Sequence, residues 1–188
     1  MNKYTIIAGV NGTGKSSFRG VLEGQRINLG QIIDPDLIAK ENSNNLFLAS
    51  KIAVQKINTC LKNHISFTQE TTLGGRTVIS TAKKARIEDY NISLYYIGLS
   101  SSDESIVRIE NRVKKGGHNI PTADVIRRFE TRFNTLIELI PLCDEVQFYD
   151  NENGFVKVGE ILNGTFYFVG NYRPKWLLDF YNIYNSKK

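Results

Sequence analysis

The sequence predicts an α/β fold, a mostly parallel sheet with helices packed on both faces. Three observations carry this expectation. Short apolar runs alternate along the chain with longer segments of helical periodicity, the pattern of repeated strand–helix units. The run "ISLYYIGL" at 92–99 is almost wholly apolar, as a strand buried on both faces requires. A glycine-rich turn, "GVNGTGKSS" at 9–17, joins the first apolar run to the first helical segment.

The elements follow in order. Residues 3–9 read as a buried strand, Gly12 to Gly14 as a loop, and Lys15 as the start of a helix. In "QIIDPDLIAKE" a short strand ends near Asp34 and a helix starts after Pro35. The segment "NLFLASKIAVQKINTCLKNH" has the apolar spacing of an amphipathic helix. Next, "ISFTQETT" reads as a strand with Glu70 at its C-terminal end, and Gly74-Gly75 breaks the chain before the helix "TVISTAKKARIEDY". After the apolar strand, "SSDESIVRIENRVKKGG" opens on Ser and Asp caps and stops at Gly116-Gly117. "PTADVIRRFETRFNTLIELI" is expected to run as one helix from Pro121, followed by the strand "CDEVQFYD". Two β-like runs, "FVKVGEI" and "TFYFVG", and an aromatic helix from about Pro174 close the chain.

With 188 residues the chain is expected to form one domain, 1–188. Within it, roughly 102–135 is expected to be a helical lid and substrate region, and 154–188 a C-terminal unit of β-like runs and a helix. No apolar run approaches a membrane span, and the start of the chain is too short in apolar residues for a signal peptide, so a cytoplasmic location is expected. Cys60 and Cys143 match no metal spacing and read as ordinary thiols. The net charge of +5 is modest, and Lys and Arg crowd into 108–132. That distribution favours a local anion site over a general nucleic-acid surface, and the aromatics are not interleaved with it as in a stacking platform.

Gly9-x4-Gly14-Lys15-Ser16 matches the phosphate-binding pattern GxxxxGK[ST] in full. Backbone N–H groups of Gly9, Asn11, Gly12, Thr13 and Gly14 are expected to turn inward on the phosphates of ATP, with Ser17 in the same cradle. The helix N-terminus adds positive potential. Lys15 reaches the β and γ phosphates, and the Ser16 hydroxyl is placed for Mg²⁺. This gives the α/β sheet a specific form, the P-loop NTPase/kinase fold. No strand ends in the acidic pair or DxxG-like turn of a hydrolysing motor or switch. The parts of a phosphotransferase are all represented. Asp36 is the candidate base toward an acceptor hydroxyl, although Asp34 or Asp36 is also needed to cap the helix after Pro35. Glu70 and its threonines suit a polyhydroxylated acceptor. Arg108 and Arg112 lie four apart on one helix face that could close over the phosphates, with Gly116-Gly117 as hinge. His118 is a candidate phosphate donor or a loop cap.

The segments "AGVNGTGKSS", "DPDLIA", "QETTLGGR" and "RIENRVKKGGHNIPTADVIRRF", continued by "NTLIELIPLCDEVQFYDN", resemble the zeta-toxin family of P-loop kinases, in particular its small bacterial ATPase-like branch. The resemblance spans the chain up to about Asn151. It implies ATP and Mg²⁺ as cofactors and a nucleotide sugar such as UDP-N-acetylglucosamine as acceptor. By motif it makes Lys15 the phosphate lysine, Asp36 the base, Glu70 and Thr72 acceptor contacts, and Arg108 a phosphate-contacting arginine. It also implies a small antitoxin as partner, and none is expected to be fused here. Three departures stand out. Asp34 replaces a common Asn. Gly74-Gly75 intervenes before Arg76, where the toxins place an arginine directly after "ETTL". His118 stands where they carry a second arginine, a charge that Arg112, Arg127 or Arg128 would have to supply. Arg76, His118 and Arg128 are therefore taken as acceptor-side candidates. The alternatives are a kinase of a nucleic-acid end or another small hydroxyl compound, and a non-catalytic ATP-binding module.

Overall fold

The computed structural model describes residues 1–43, 45–117 and 119–187. Its centre is β1 (Lys3–Ala8), which pairs in parallel with β3 (Phe67–Thr71) on one side and β4 (Asn91–Gly98) on the other. β2 (Gln31–Ile33) extends the sheet beyond β3, and β5 (Glu145–Asp150) extends it beyond β4, both in parallel. β6 (Val156–Leu162) and β7 (Thr165–Phe168) continue it antiparallel, giving the order β2-β3-β1-β4-β5-β6-β7. Asn163 and Gly164, both at positive φ, make the two-residue turn between these last strands, the backbone that matches strand twist.

Side-chain alternation divides the core in two. Tyr4, Ile6 and Ala8 of β1 and Ile92, Leu94 and Tyr96 of β4 point to a large cluster. It is covered by α3 (Leu46–Lys62), α4 (Thr77–Ile87), α7 (Arg132–Leu139) and α8 (Lys175–Ser186). Ile7, Tyr95 and Ile97 point the other way, onto Phe18 and Leu22 of α1 (Lys15–Gly24). Burial on both faces explains why β4 shows no polar alternation in the sequence. Among the described residues no helix is long and apolar enough to cross a membrane.

The remaining helices sit at the C-terminal ends of the parallel strands. They are α2 (Pro35–Glu41), α5 (Ser102–Lys114) and α6 (Thr122–Glu130). The Ser101 hydroxyl caps α5 by accepting from the Glu104 N–H. Gly116, at φ 82, ends the helix in the left-handed conformation that glycine adopts without strain. The single helix expected from Pro121 is instead two, α6 and α7, which meet at Thr131. The Thr131 hydroxyl donates to the Arg127 carbonyl (2.9 Å), and Arg132 Nη1 donates to the Phe129 carbonyl (2.6 Å). Both contacts lie at the junction of the two helices.

α8 is anchored near the same strand ends. Trp176 is buried, and its Nε1 donates to Asp150 Oδ1 at 2.7 Å. Asp150 also accepts from the Glu152 N–H at 3.0 Å, which shapes the turn after β5.

Candidate active site

The turn after β1 is held in a conformation that only glycine tolerates. Gly14 has φ 87, and a Cβ there would stand 2.7 Å from Asn151 Nδ2. Gly12 has φ 79, with the Ser105 carbonyl 2.8 Å from where its Cβ would be. α1 follows with no side-chain cap and no acidic residue in its first turn. Its leading N–H groups and positive dipole end are therefore left to an anion. Thr13 is buried and its hydroxyl donates to the Val10 carbonyl (3.0 Å), a contact internal to the turn. Ser105 of α5 donates its hydroxyl to the Asn11 carbonyl, fixing the turn from the other side.

Lys15 lies over this turn, its Nζ donating to the carbonyls of Gly9 (2.9 Å) and Val10 (3.1 Å). Burial pulls its pKa down, against the attraction of Glu70, Asp36 and Asp34. The Ser16 hydroxyl donates to Glu70 Oε2 at 2.8 Å. The other Glu70 oxygen meets Arg19 Nη1 at 2.7 Å, and the same nitrogen is 3.6 Å from Asp34 Oδ2. Burial first, and then Asp34, raise the Glu70 pKa, while Ser16, Arg19 and Lys15 oppose the shift.

Asp34 accepts from the N–H groups of Asp36 (2.9 Å) and Leu37 (3.4 Å) and so caps α2. Pro35 at the first helical position is compatible with that start. Of the two aspartates, Asp34 takes the cap and Asp36 is left to the cleft. There it borders two cavities. One, of about 210 Å³, lies over the glycine turn and is bordered by Ser16, Ser17, Arg108 and Arg112. The other, of about 350 Å³, is lined by Thr72, Gln69, Leu46, Ser50 and Arg128. Lys15, Asp36, Glu70 and Asn11 border both.

The structure thus brings together Lys15, Ser16, Asp36, Glu70, Thr72, Arg112 and Arg128. Arg128 also ties α6 to the glycine turn, its Nη1 donating to Asn11 Oδ1 at 2.9 Å. Arg108 borders the smaller cavity, yet its Nη2 is already engaged. It pairs with Glu104 and donates to the carbonyls of Asn151 (2.6 Å) and Glu152 (3.2 Å). Arg76 is not brought in. Its side chain is 82% exposed and pairs with Glu138 of α7 at 2.7 Å. The two glycines before it lengthen the turn after Thr72, so Arg76 occupies the cap position of α4 and points across to α7. Arg127 pairs with Asp124 at the surface (2.8 Å). The expectation for His118 lies outside the described residues.

Two participants escaped the sequence reading. Arg19 sits four after Lys15 and three after Ser16, a spacing that puts all three on one face of α1 and was available as a signal. Asn151 donates from Nδ2 to the Thr13 carbonyl at 2.8 Å, a contact across most of the chain that no local pattern announces.

No family model matches the chain. A protein of Haemophilus influenzae, described only as an uncharacterized protein, is 34% identical over 131 residues, which is 67% of this chain and 91% of that one. The chain belongs to the same family as that protein. Among solved structures, the AvrRxo1-ORF1:-ORF2 complex with ATP superposes with a TM-score of 0.66 at 15% identity, over 97% of this chain and 63% of that one. The chain therefore spans less than two thirds of the length of that neighbour. A structure of the PezAT chromosomal toxin–antitoxin system of Streptococcus pneumoniae superposes with a TM-score of 0.60 at 13% identity, over 100% of this chain and 86% of that one. These likenesses show the fold, a P-loop α/β fold that the chain shares with both structures.

Proposed function

We propose that the chain is an ATP-dependent phosphotransferase that phosphorylates a hydroxyl of a small acceptor, with a nucleotide sugar such as UDP-N-acetylglucosamine as the leading candidate. The observation that carries this reading is the position of Asp36 on the shared border of two cavities, beside Lys15 and Ser16. A transfer site needs one compartment for the donor, one for the acceptor, and a base between them. The smaller cavity, over the glycine turn, takes the triphosphate of ATP. The larger takes the acceptor, with Thr72, Gln69 and Arg128 as polar contacts.

The chemistry follows from these positions. Asp36 takes the acceptor's hydroxyl proton as the oxygen attacks the γ-phosphorus of ATP. The bond from that phosphorus to the β–γ bridging oxygen breaks, and ADP leaves. Lys15 exchanges its two carbonyl contacts for phosphate oxygens, and Arg112 faces the same charge from α5. Ser16 and Glu70 offer hard oxygen donors at 2.8 Å from each other, which fits Mg²⁺. Among the described residues no three His, Cys, Asp or Glu side chains form a metal cage, so phosphates and water would complete the shell. When bound, Mg²⁺ neutralises charge on the β and γ phosphates.

The reading also takes residues 1–188 as one kinase unit, with 102–135 as the lid that closes on the donor. By analogy with the toxin–antitoxin neighbour, a small antitoxin is the proposed protein partner and the cytoplasm the proposed location.

³¹P NMR of the protein with Mg-ATP, with and without UDP-N-acetylglucosamine, tests this. The expected result is a new phosphomonoester resonance with stoichiometric ADP, absent in Asp36→Asn although that variant still binds ATP. ADP and free phosphate at the same rate in both tubes would remove this acceptor. Wild-type transfer by Asp36→Asn would remove the assigned base.

A further inference from the structure

We infer that Arg19 is a positioning residue of the transfer site: its guanidinium holds the Glu70 and Asp34 carboxylates together at the ends of β3 and β2. It thereby fixes both the carboxylate that meets Ser16 and the start of the helix that carries Asp36. The inference rests on the kinase reading above.

The geometry assigns each oxygen a separate task. Glu70 Oε2 accepts from Ser16, and Oε1 pairs with Arg19 at 2.7 Å. Asp34 Oδ1 caps α2, and Oδ2 faces Arg19 at 3.6 Å. One guanidinium nitrogen, Nη1, thus stands between two carboxylates that are each only 5% exposed. Two like charges in so dry a place repel strongly, and a cation between them removes the repulsion. Lys15 also attracts Glu70, but phosphate binding claims its charge. Arg19 is the standing counter-charge, present whether or not nucleotide is bound.

A plain surface role along α1 does not account for these contacts. The partner on its own helix, Glu23, is reached from Nε at 3.7 Å and is 55% exposed at the side chain. The shortest contact runs to buried Glu70, on a different element. Deleting one partner of a buried pair leaves the others uncompensated, and they move. Here the displaced groups would be Glu70, which would turn from Ser16, and Asp34, which would loosen its cap on the α2 N-terminus. Both shifts act on the chemistry without touching the donor's phosphates.

The test uses the full chain and the variants Arg19→Met and Arg19→Lys. Three quantities are measured: affinity for a fluorescent ATP analogue without divalent metal, Mn²⁺ affinity of the ADP complex by EPR, and kcat for ATP turnover. In Arg19→Met the metal-free nucleotide affinity is expected to stay within about threefold, since the glycine turn and Lys15 are intact. Mn²⁺ affinity is expected to fall about tenfold, as for loss of a group that orients a ligand. kcat is expected to fall at least about tenfold with little change in KM for ATP. Arg19→Lys restores the charge and is expected to recover much of both. If Arg19→Met does not fold, Arg19→Gln, neutral but still an N–H donor, takes its place. Unchanged Mn²⁺ affinity and kcat in the neutral variant overturn the inference. So does a uniform loss that includes metal-free nucleotide binding and that lysine does not rescue, because that describes a merely structural residue. If the wild-type protein transfers no phosphoryl group, the kinase reading fails, and the Mn²⁺ and nucleotide measurements still decide the role of Arg19.

Discussion

On the strand side of the cleft, Thr13, Asp34, Glu70 and Asn11 are all at most 6% exposed, and each has a hydrogen-bond partner in place. On the helical side, the Arg108 and Arg127 side chains are 27% and 61% exposed, and their acidic partners lie on their own helices. The strand side is wired before any ligand arrives. The helical side is held to it at few points, chiefly Ser105 on the Asn11 carbonyl, Arg128 on the Asn11 side chain and Arg108 on the turn after β5. A wall fixed by buried contacts suits groups that must not move, such as a phosphate cradle and the carboxylate beside its serine. A wall fixed by a few polar contacts can open for substrate and still deliver a cation on closing.

The comparison predicts where mutations bite hardest. Lys15→Ala removes the central cation of the fixed wall. Transfer is expected to fall by at least about 10³-fold, the scale of losing a principal transition-state contact. The melting temperature is expected to hold or rise, because Lys15 is half-buried and the desolvation of its ammonium already pulls its pKa down. Residual wild-type turnover, measured by ADP release, would break the assignment of this turn as the donor site.

Next in size is a contrast within the movable wall. Arg112 borders the cavity over the glycine turn, and Gly117 packs against its stem, where a Cβ would stand 2.5 Å from Arg112 Cγ. Arg112→Ala is expected to lower kcat about 10²-fold. Arg108→Ala is expected to act the other way. Its guanidinium ties α5 to the carbonyls of Asn151 and Glu152, so its loss should cost about 1–2 kcal/mol of stability, discounted for its partial exposure. kcat should fall less than tenfold. Thermal melts and steady-state kinetics on the two variants separate these roles. A larger kcat effect at Arg108 would mean that the arginine leaves the Asn151 turn to reach phosphate on closure.

The same contrast governs how much was legible in the sequence. The fixed wall announces itself because its residues are set by local geometry. The glycines at 12 and 14 need positive φ, Lys15 and Ser16 start a helix, and Asp34 with Pro35 starts another. Each is a short-range constraint with a spacing. The sheet was legible for a similar reason, since burial on both faces leaves an uninterrupted apolar run such as 92–99. What the sequence concealed has no apolar pattern to announce it. The break at Thr131 falls inside a segment whose apolar periodicity continues on both sides, so the pattern does not mark it. Asn151 reaches the glycine turn from the far end of the chain. Asp36 escaped the ambiguity with Asp34 only when the two N–H donors on Asp34 were seen.

The smallest effect is expected at Arg76, and it sharpens the comparison by testing a motif position that the fold turns outward. Motif position alone put this arginine on the acceptor. The chain, however, places Gly74-Gly75 after Leu73; Gly74 lies against Thr72 and Arg128, whereas Gly75, next to Arg76, has nothing within 4 Å of where a Cβ would be. Arg76 ends on the outer surface, paired with Glu138 in a contact open to solvent and salt. Such pairs contribute at most about 1 kcal/mol. Arg76→Ala should therefore leave kcat and KM for the acceptor within about twofold and shift the melting temperature by no more than a few degrees. A rise of tenfold or more in acceptor KM, with kcat intact, would show that the turn at 73–76 folds inward on binding and that Arg76 reaches the acceptor through the neighbouring cavity of about 230 Å³, which runs from Thr72 to Thr77 and Val78 of α4.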